Sequence, residues 1–145
     1  MLRYMLDTNL CIRVLRDRPA SLRDHFNRES DALCISTIVL TELLVGAEKS
    51  NRPVETRREI DRFTTRLVVL PFDEAAAAHA AEIRANLERR GQVIGGYDTV
   101  IAGHARSLGL IVVTGNLREF GRIEGLRAED WLGADDETSP PRPGT

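Results

Sequence analysis

The sequence predicts an α/β fold with a central parallel sheet of about four to five strands, covered by helices on both faces. Three observations carry that prediction. Short apolar runs at Leu2 to Leu6, Leu33 to Ser36, Leu67 to Leu70 and Leu110 to Val113 recur between longer stretches of helical periodicity. The last of them, Leu110-Ile111-Val112-Val113, is apolar without alternation, as strands buried on both faces are. Strands that alternate with helices are joined by crossovers, and crossovers make parallel pairs.

Taken in order, Leu2 to Leu6 is the first strand and ends at Asp7. A short helix follows from Thr8 to about Arg16, with Asp7 near its N-cap. Pro19 interrupts the chain, and Ala20 to Arg28 forms a second short helix. Leu33 to Ser36 is a compact strand, and Ser36 or Thr37 caps a helix running through Ala47. Pro53 suits the first turn of a helix that continues to about Arg66, polar over most of its surface. Leu67 to Leu70 is a third strand, closed by Pro71.

Asp73 caps a long helix, alanine-rich from Ala75 to Ala81, that stops at Gly91. Its small side chains predict close packing against a neighbouring helix or the sheet. After the Gly95-Gly96 loop, Tyr97 to Leu108 is a helix, and Leu110 to Val113 the fourth strand. Leu117 to Phe120 reads as a single helical turn and Leu126 to Trp131 as a last edge element. The domain is expected to span residues 1–132, with 133–145 an acidic and proline-rich disordered tail.

At 145 residues the chain holds one core and not two. A net charge of −2 gives no global basic field, so any affinity for nucleic acid rests on local arrangement. Lys49 is the only lysine among 20 basic residues, and the arginines suit bidentate phosphate contacts. Cys11 and Cys34 are too few and too far apart for a disulfide framework or a zinc site, and read as buried free thiols in a reducing compartment. With no long apolar run and no signal-peptide pattern, the expected location is cytoplasmic, with no membrane partner.

Chemistry concentrates in three acids with apolar neighbours. Asp7 alone reads as a helix cap. Glu42, however, has Ile38, Val39, Val45 and Gly46 as its helical neighbours, where a solvated glutamate has polar company. A buried ion pair with an arginine is the plain alternative. Asp98 opens a helix beside Ile101 and Ala102, where a cap or a dipole-favoured acid is the plain alternative. Two carboxylates ~4 Å apart repel by about 4 kcal/mol at an effective dielectric near 20. Three that meet therefore call for a hard divalent cation such as Mg²⁺ or Mn²⁺. Ligands of parallel sheets bind beyond the carboxyl ends of the strands, where Asp7 and Asn116 fall. His25, His79 and His104 form no ligand pair and read as structural or surface residues.

Four motifs in this order carry a family resemblance. They are Met5-Leu6-Asp7-Thr8-Asn9, Thr41-Glu42-Leu43 with Gly46-Ala47, Ile94-Gly95-Gly96-Tyr97-Asp98 followed by Ile101-Ala102-Gly103-His104-Ala105, and Val113-Thr114-Gly115-Asn116-Leu117-Arg118-Glu119-Phe120. Together they resemble PIN-domain ribonucleases of the VapC toxin type, from Leu2 to about Trp131. The resemblance implies a three-layer PIN-like fold and an Mg²⁺- or Mn²⁺-dependent endoribonuclease of a toxin–antitoxin module. It further implies a homodimer silenced by a cognate VapB antitoxin. Its acidic positions fall on Asp7, Glu42 and Asp98, with Asn116 where many relatives carry aspartate, Glu119 nearby to supply charge, and Gly96 where relatives often have proline. Thr8, Asn9 and Thr114 are expected to orient the carboxylates. The branch it is most similar to cuts initiator transfer RNA in the anticodon loop. Arg13, Arg16, Arg84 and Arg118 are candidates to grip the RNA.

Two other readings compete. An aspartate-based phosphotransfer enzyme wants a second acid close by and a strand-end lysine, but Asn9 stands two residues beyond Asp7 and Lys49 sits near a helix end. A catalytically silent RNA- or protein-binding module on the same fold would have no use for three acids in apolar settings.

Overall fold

The computed structural model describes residues 1–17 and 20–132. Pro19 and the tail expected from Gly133 onward lie outside the described residues. Five strands form one sheet in the order β3-β2-β1-β4-β5, every pair parallel. They are β1 (Tyr4–Leu6), β2 (Leu33–Ser36), β3 (Val68–Leu70), β4 (Ile111–Val113) and β5 (Ala128–Glu129). The helices are α1 (Thr8–Arg16), α2 (Ala20–Arg28), α3 (Thr37–Lys49), α4 (Pro53–Thr64), α5 (Glu74–Arg89), α6 (Gly96–Ser107) and the single turn α7 (Leu117–Phe120). The three-layer α/β architecture expected from the sequence is the one the chain adopts, and the edge element expected within 126–131 is the parallel strand β5.

The differences lie at element ends. Strand β2 has the bounds expected, whereas β1, β3 and β4 are shorter than their apolar runs, because Leu2, Leu67 and Leu110 flank the ladder and pack without pairing in it. A 3₁₀ turn at Ser30–Ala32, not foreseen, leads α2 into β2. Asp17 closes α1 in a left-handed conformation (φ 60°), its amide donating to the Arg13 and Val14 carbonyls.

Burial explains the layout. β1 and β4 are wholly buried, and Met5, Leu6, Cys34, Ile35, Val112 and Val113 have no measurable exposure. On the helical side, Ala80 of α5 meets α6 at Gly103, where an added Cβ would stand 2.5 Å from the Ala80 backbone nitrogen. Only glycine permits that approach, so the small residues of α5 do pack against a helix. Across β1 the direction of sheet growth reverses, with β2 on one side and β4 on the other. Such a reversal opens a crevice at the carboxyl ends of the central strands.

Candidate active site

Asp7 stands at that crevice. Its amide donates to the Val113 carbonyl at 3.1 Å, which ties the end of β1 to the end of β4. Its carboxylate caps α1 by accepting from the Leu10 amide at 2.9 Å, and it also accepts a side-chain hydrogen bond from Thr114. The same Thr114 oxygen accepts from the Asn116 amide at 2.8 Å, so one hydroxyl fixes both the acid and the start of the following loop. Burial nevertheless pushes the Asp7 carboxyl above the ordinary carboxylate range, against those two bonds, with the charges of Glu42 and Asp130 adding to the rise.

Glu42 comes from the second turn of α3, whose N-cap Ser36 is fully buried and accepts from the Ile38 amide at 3.0 Å. The Thr8 hydroxyl donates to the Glu42 carboxylate, so α1 and α3 are joined beside Asp7. Among the described residues, the ion pairs formed by Arg23, Arg52, Arg57, Arg84, Arg90 and Arg106 go to acids other than Glu42. Asp98 lies in the first turn of α6, which begins one residue earlier than expected, with Gly95 as N-cap. Its carboxyl is pushed up to about 7, first by burial, then by a hydrogen bond with Glu119 and by the charges of Asp7, Glu119 and Glu42.

The structure thus gathers Asp7, Glu42, Asp98 and Glu119 into one electrostatic cluster. Asn116 is exposed and joins Asp7, Asn9, Arg13, Arg16 and Gly115 around a cavity of about 450 Å³. Glu42 lines a neighbouring cavity of about 330 Å³ with Ile12, Leu15, Arg16 and Leu43. Asp130 is the acid that sequence reasoning missed. Its signal is register: β5 runs parallel to β4, with Val113 opposite Glu129, so the next residue emerges at the same edge as Thr114.

The histidines stay outside the cluster. His25 stacks on Trp131 with ring centroids 3.8 Å apart, and His79 Nδ1 accepts from Arg106 Nε at 2.9 Å. His104 is buried edge-on to Phe72, its Nδ1 without a hydrogen-bond partner among the described residues. Cys11 and Cys34 are buried free thiols, both raised by burial, Cys34 to about 12.

As placed, no three Asp, Glu, His or Cys groups among the described residues stand close enough to hold a metal ion by themselves. The donor chemistry still fits a hard cation. Every acid in the cluster offers oxygen, and a divalent charge would offset the repulsion that adds to burial in raising Asp7 and Asp98.

The family model of the PIN domain matches residues 4–126. The chain belongs to the PIN domain family. Within it, the chain is 52% identical to the tRNA(fMet)-specific endonuclease VapC of Shigella flexneri over 131 residues, 90% of this chain and 99% of that protein. It is 46% identical to ribonuclease VapC2 of Haemophilus influenzae over 132 residues, covering 91% of this chain and all of that protein. Among solved structures, DNA-bound VapBC from Salmonella typhimurium superimposes with a TM-score of 0.87 at 51% identity, covering 90% of this chain and 99% of that one. These likenesses place the chain among the VapC ribonucleases of VapBC modules.

Proposed function

We propose that the chain is a toxin of a toxin–antitoxin module that acts as an Mg²⁺- or Mn²⁺-dependent endoribonuclease on structured RNA. The observation that carries this reading is the convergence of Asp7, Glu42, Asp98 and Glu119 at the crevice beside β1 and β4. Initiator transfer RNA is the target within this reading, which the name of the Shigella relative supports, and the cut is assigned to its anticodon loop. A VapB-type antitoxin is the partner, which the VapBC assembly of the Salmonella structure supports; within this reading it covers the acidic pocket, and the toxin works as a homodimer.

Asp7, Glu42 and Asp98 would hold the metal, directly or through water. Bound there, such an ion would supply polarisation of the scissile phosphate, a lowered pKa for a water nucleophile and an offset to charge on the departing oxygen. Thr114 and the Leu10 amide keep the Asp7 carboxylate in one orientation, and Thr8 does the same for Glu42. Glu119, which shares a hydrogen bond with Asp98, would position the water or a second ion. Asn116, at the mouth of the cavity, offers an amide to substrate without adding repulsion.

The reading is tested with purified Asp7→Asn and Asp98→Asn variants incubated with an initiator transfer RNA transcript and Mg²⁺ or Mn²⁺. Both are expected to fold and to leave the RNA intact. Undiminished cutting by either would overturn the assignment.

A further inference from the structure

We propose that Arg16 is a positioning residue that holds a backbone phosphate of the RNA beside the acidic pocket. The inference rests on the ribonuclease reading above and adds to it the group that offsets substrate repulsion. An RNA strand approaching the crevice meets Asp7, Glu42, Asp98, Glu119 and Asp130, and one divalent ion does not neutralise them all. A fixed cation near the pocket, outside the set that holds the metal, would offset part of that repulsion.

The structure selects among the arginines. Arg84 is paired to Glu88 at 2.9 Å and lines a different cavity, between α5 and α6. Arg23, Arg52, Arg57, Arg90 and Arg106 are likewise engaged with carboxylates. Arg13 and Arg16 are the arginines that line the Asp7 cavity among the described residues. Arg16 also lines the Glu42 cavity, so it stands on the ridge between the two. Arg16 is exposed, with no carboxylate within ion-pair reach among the described residues.

Helical phase explains the placement. Asn9, Arg13 and Arg16 fall at i, i+4 and i+7 on α1, one face of the helix that Asp7 caps. Nine residues separate Arg16 from Asp7, about 13 Å along the axis. An extended guanidinium spans part of that distance, so it reaches a phosphate flanking the one at the acids. The bland role for a basic residue in the last turn of a helix is to complement the helix dipole. That role affects stability alone, which separates the two.

The experiment measures affinity for an initiator transfer RNA transcript over a series of KCl concentrations, in an Asp98→Asn parent that binds without cutting. Adding Arg16→Ala is expected to weaken binding roughly tenfold and to lower the slope of log affinity against log salt by about 0.7 to 0.9, the loss of one phosphate contact. Arg16→Lys is expected to retain the slope, and Arg84→Ala to match the parent in both quantities. In the cutting enzyme, Arg16→Ala should raise KM more than it lowers kcat. Parent-like affinity and slope in Arg16→Ala overturn the inference while leaving the ribonuclease reading in place, whatever the variant does to binding of a protein partner. A parent that binds no RNA overturns both.

Discussion

Where α5 crosses α6, the backbone at Ala80 lies so near Gly103 that a single methyl group does not fit. At the carboxyl ends of β1 and β4, four acids share a space in which burial and repulsion hold Asp98 near a pKa of about 7. Both places are parts of one small domain, yet they are stabilised in opposite senses. The helix seam gains from every contact it makes, whereas the acidic edge costs stability until a cation arrives. The contrast teaches that the fold carries a strained site on a tightly packed support, the usual relation between scaffold and function.

The sharpest way to test the contrast is Asp98→Asn. RNA cleavage is expected to vanish in a gel assay, while the thermal midpoint of the metal-free protein rises. Next in size, Gly103→Ala should cost about 3 kcal/mol through overpacking against the Ala80 backbone, lowering the midpoint by roughly 10 °C in a melting experiment. An unchanged midpoint would mean that the seam yields easily and that the contrast is false.

Metal comes third. At a Mn²⁺ concentration of about 100 Kd, wild-type protein should gain about 2.7 kcal/mol over its chelated form, and Asp7→Asn much less. Equal gains in the two would remove Asp7 from the metal's surroundings.

A smaller effect is expected with pH. A carboxyl whose folded pKa is raised from 3.8 to about 7 stabilises the fold fully below the lower value and loses that contribution as pH rises through the upper one. Metal-free wild type should therefore lose about 1–2 kcal/mol relative to Asp98→Asn between pH 4 and pH 8, after allowance for solvent screening of a half-exposed group. His104 acts with the other sign. Burial lowers its pKa from 6.5, so its contribution is present above that value and is lost as pH falls through the lowered one. Melting both proteins across that range separates the two. The smallest change belongs to the exposed Arg84–Glu88 pair, where Arg84→Ala should alter stability by no more than about 0.5 kcal/mol in urea unfolding.

Much of the architecture was legible in the sequence because its signals are local. Asp7 and Asp73 mark the starts of their helices, and Pro53 falls at the first turn of α4, since caps and prolines act through their own backbone. The acids Asp7, Glu42 and Asp98 were legible as misfits in apolar company. What stayed hidden depends on pieces far apart in the chain. The strand order around β1 is one such feature, and the emergence of Asp130 beside Thr114 is another, because both follow from register between strands. The split between Glu119, which bonds Asp98, and Asn116, which faces the Asp7 cavity, turns on the angle of a one-turn helix that periodicity does not reach. The 3₁₀ turn before β2 was invisible for the same reason.

The central place of β1 in the sheet has a consequence for synthesis. Asp7 leaves the ribosome early, but the strand that seats beside it, β4, and the turn that carries Glu119 come near the end of the domain. A half-made chain therefore holds Asp7 and Glu42 without the partners that complete the cluster. The proposed cutting activity switches on only when almost the whole domain has been translated, so the ribosome making this protein works beside an inert polypeptide until the final strands dock.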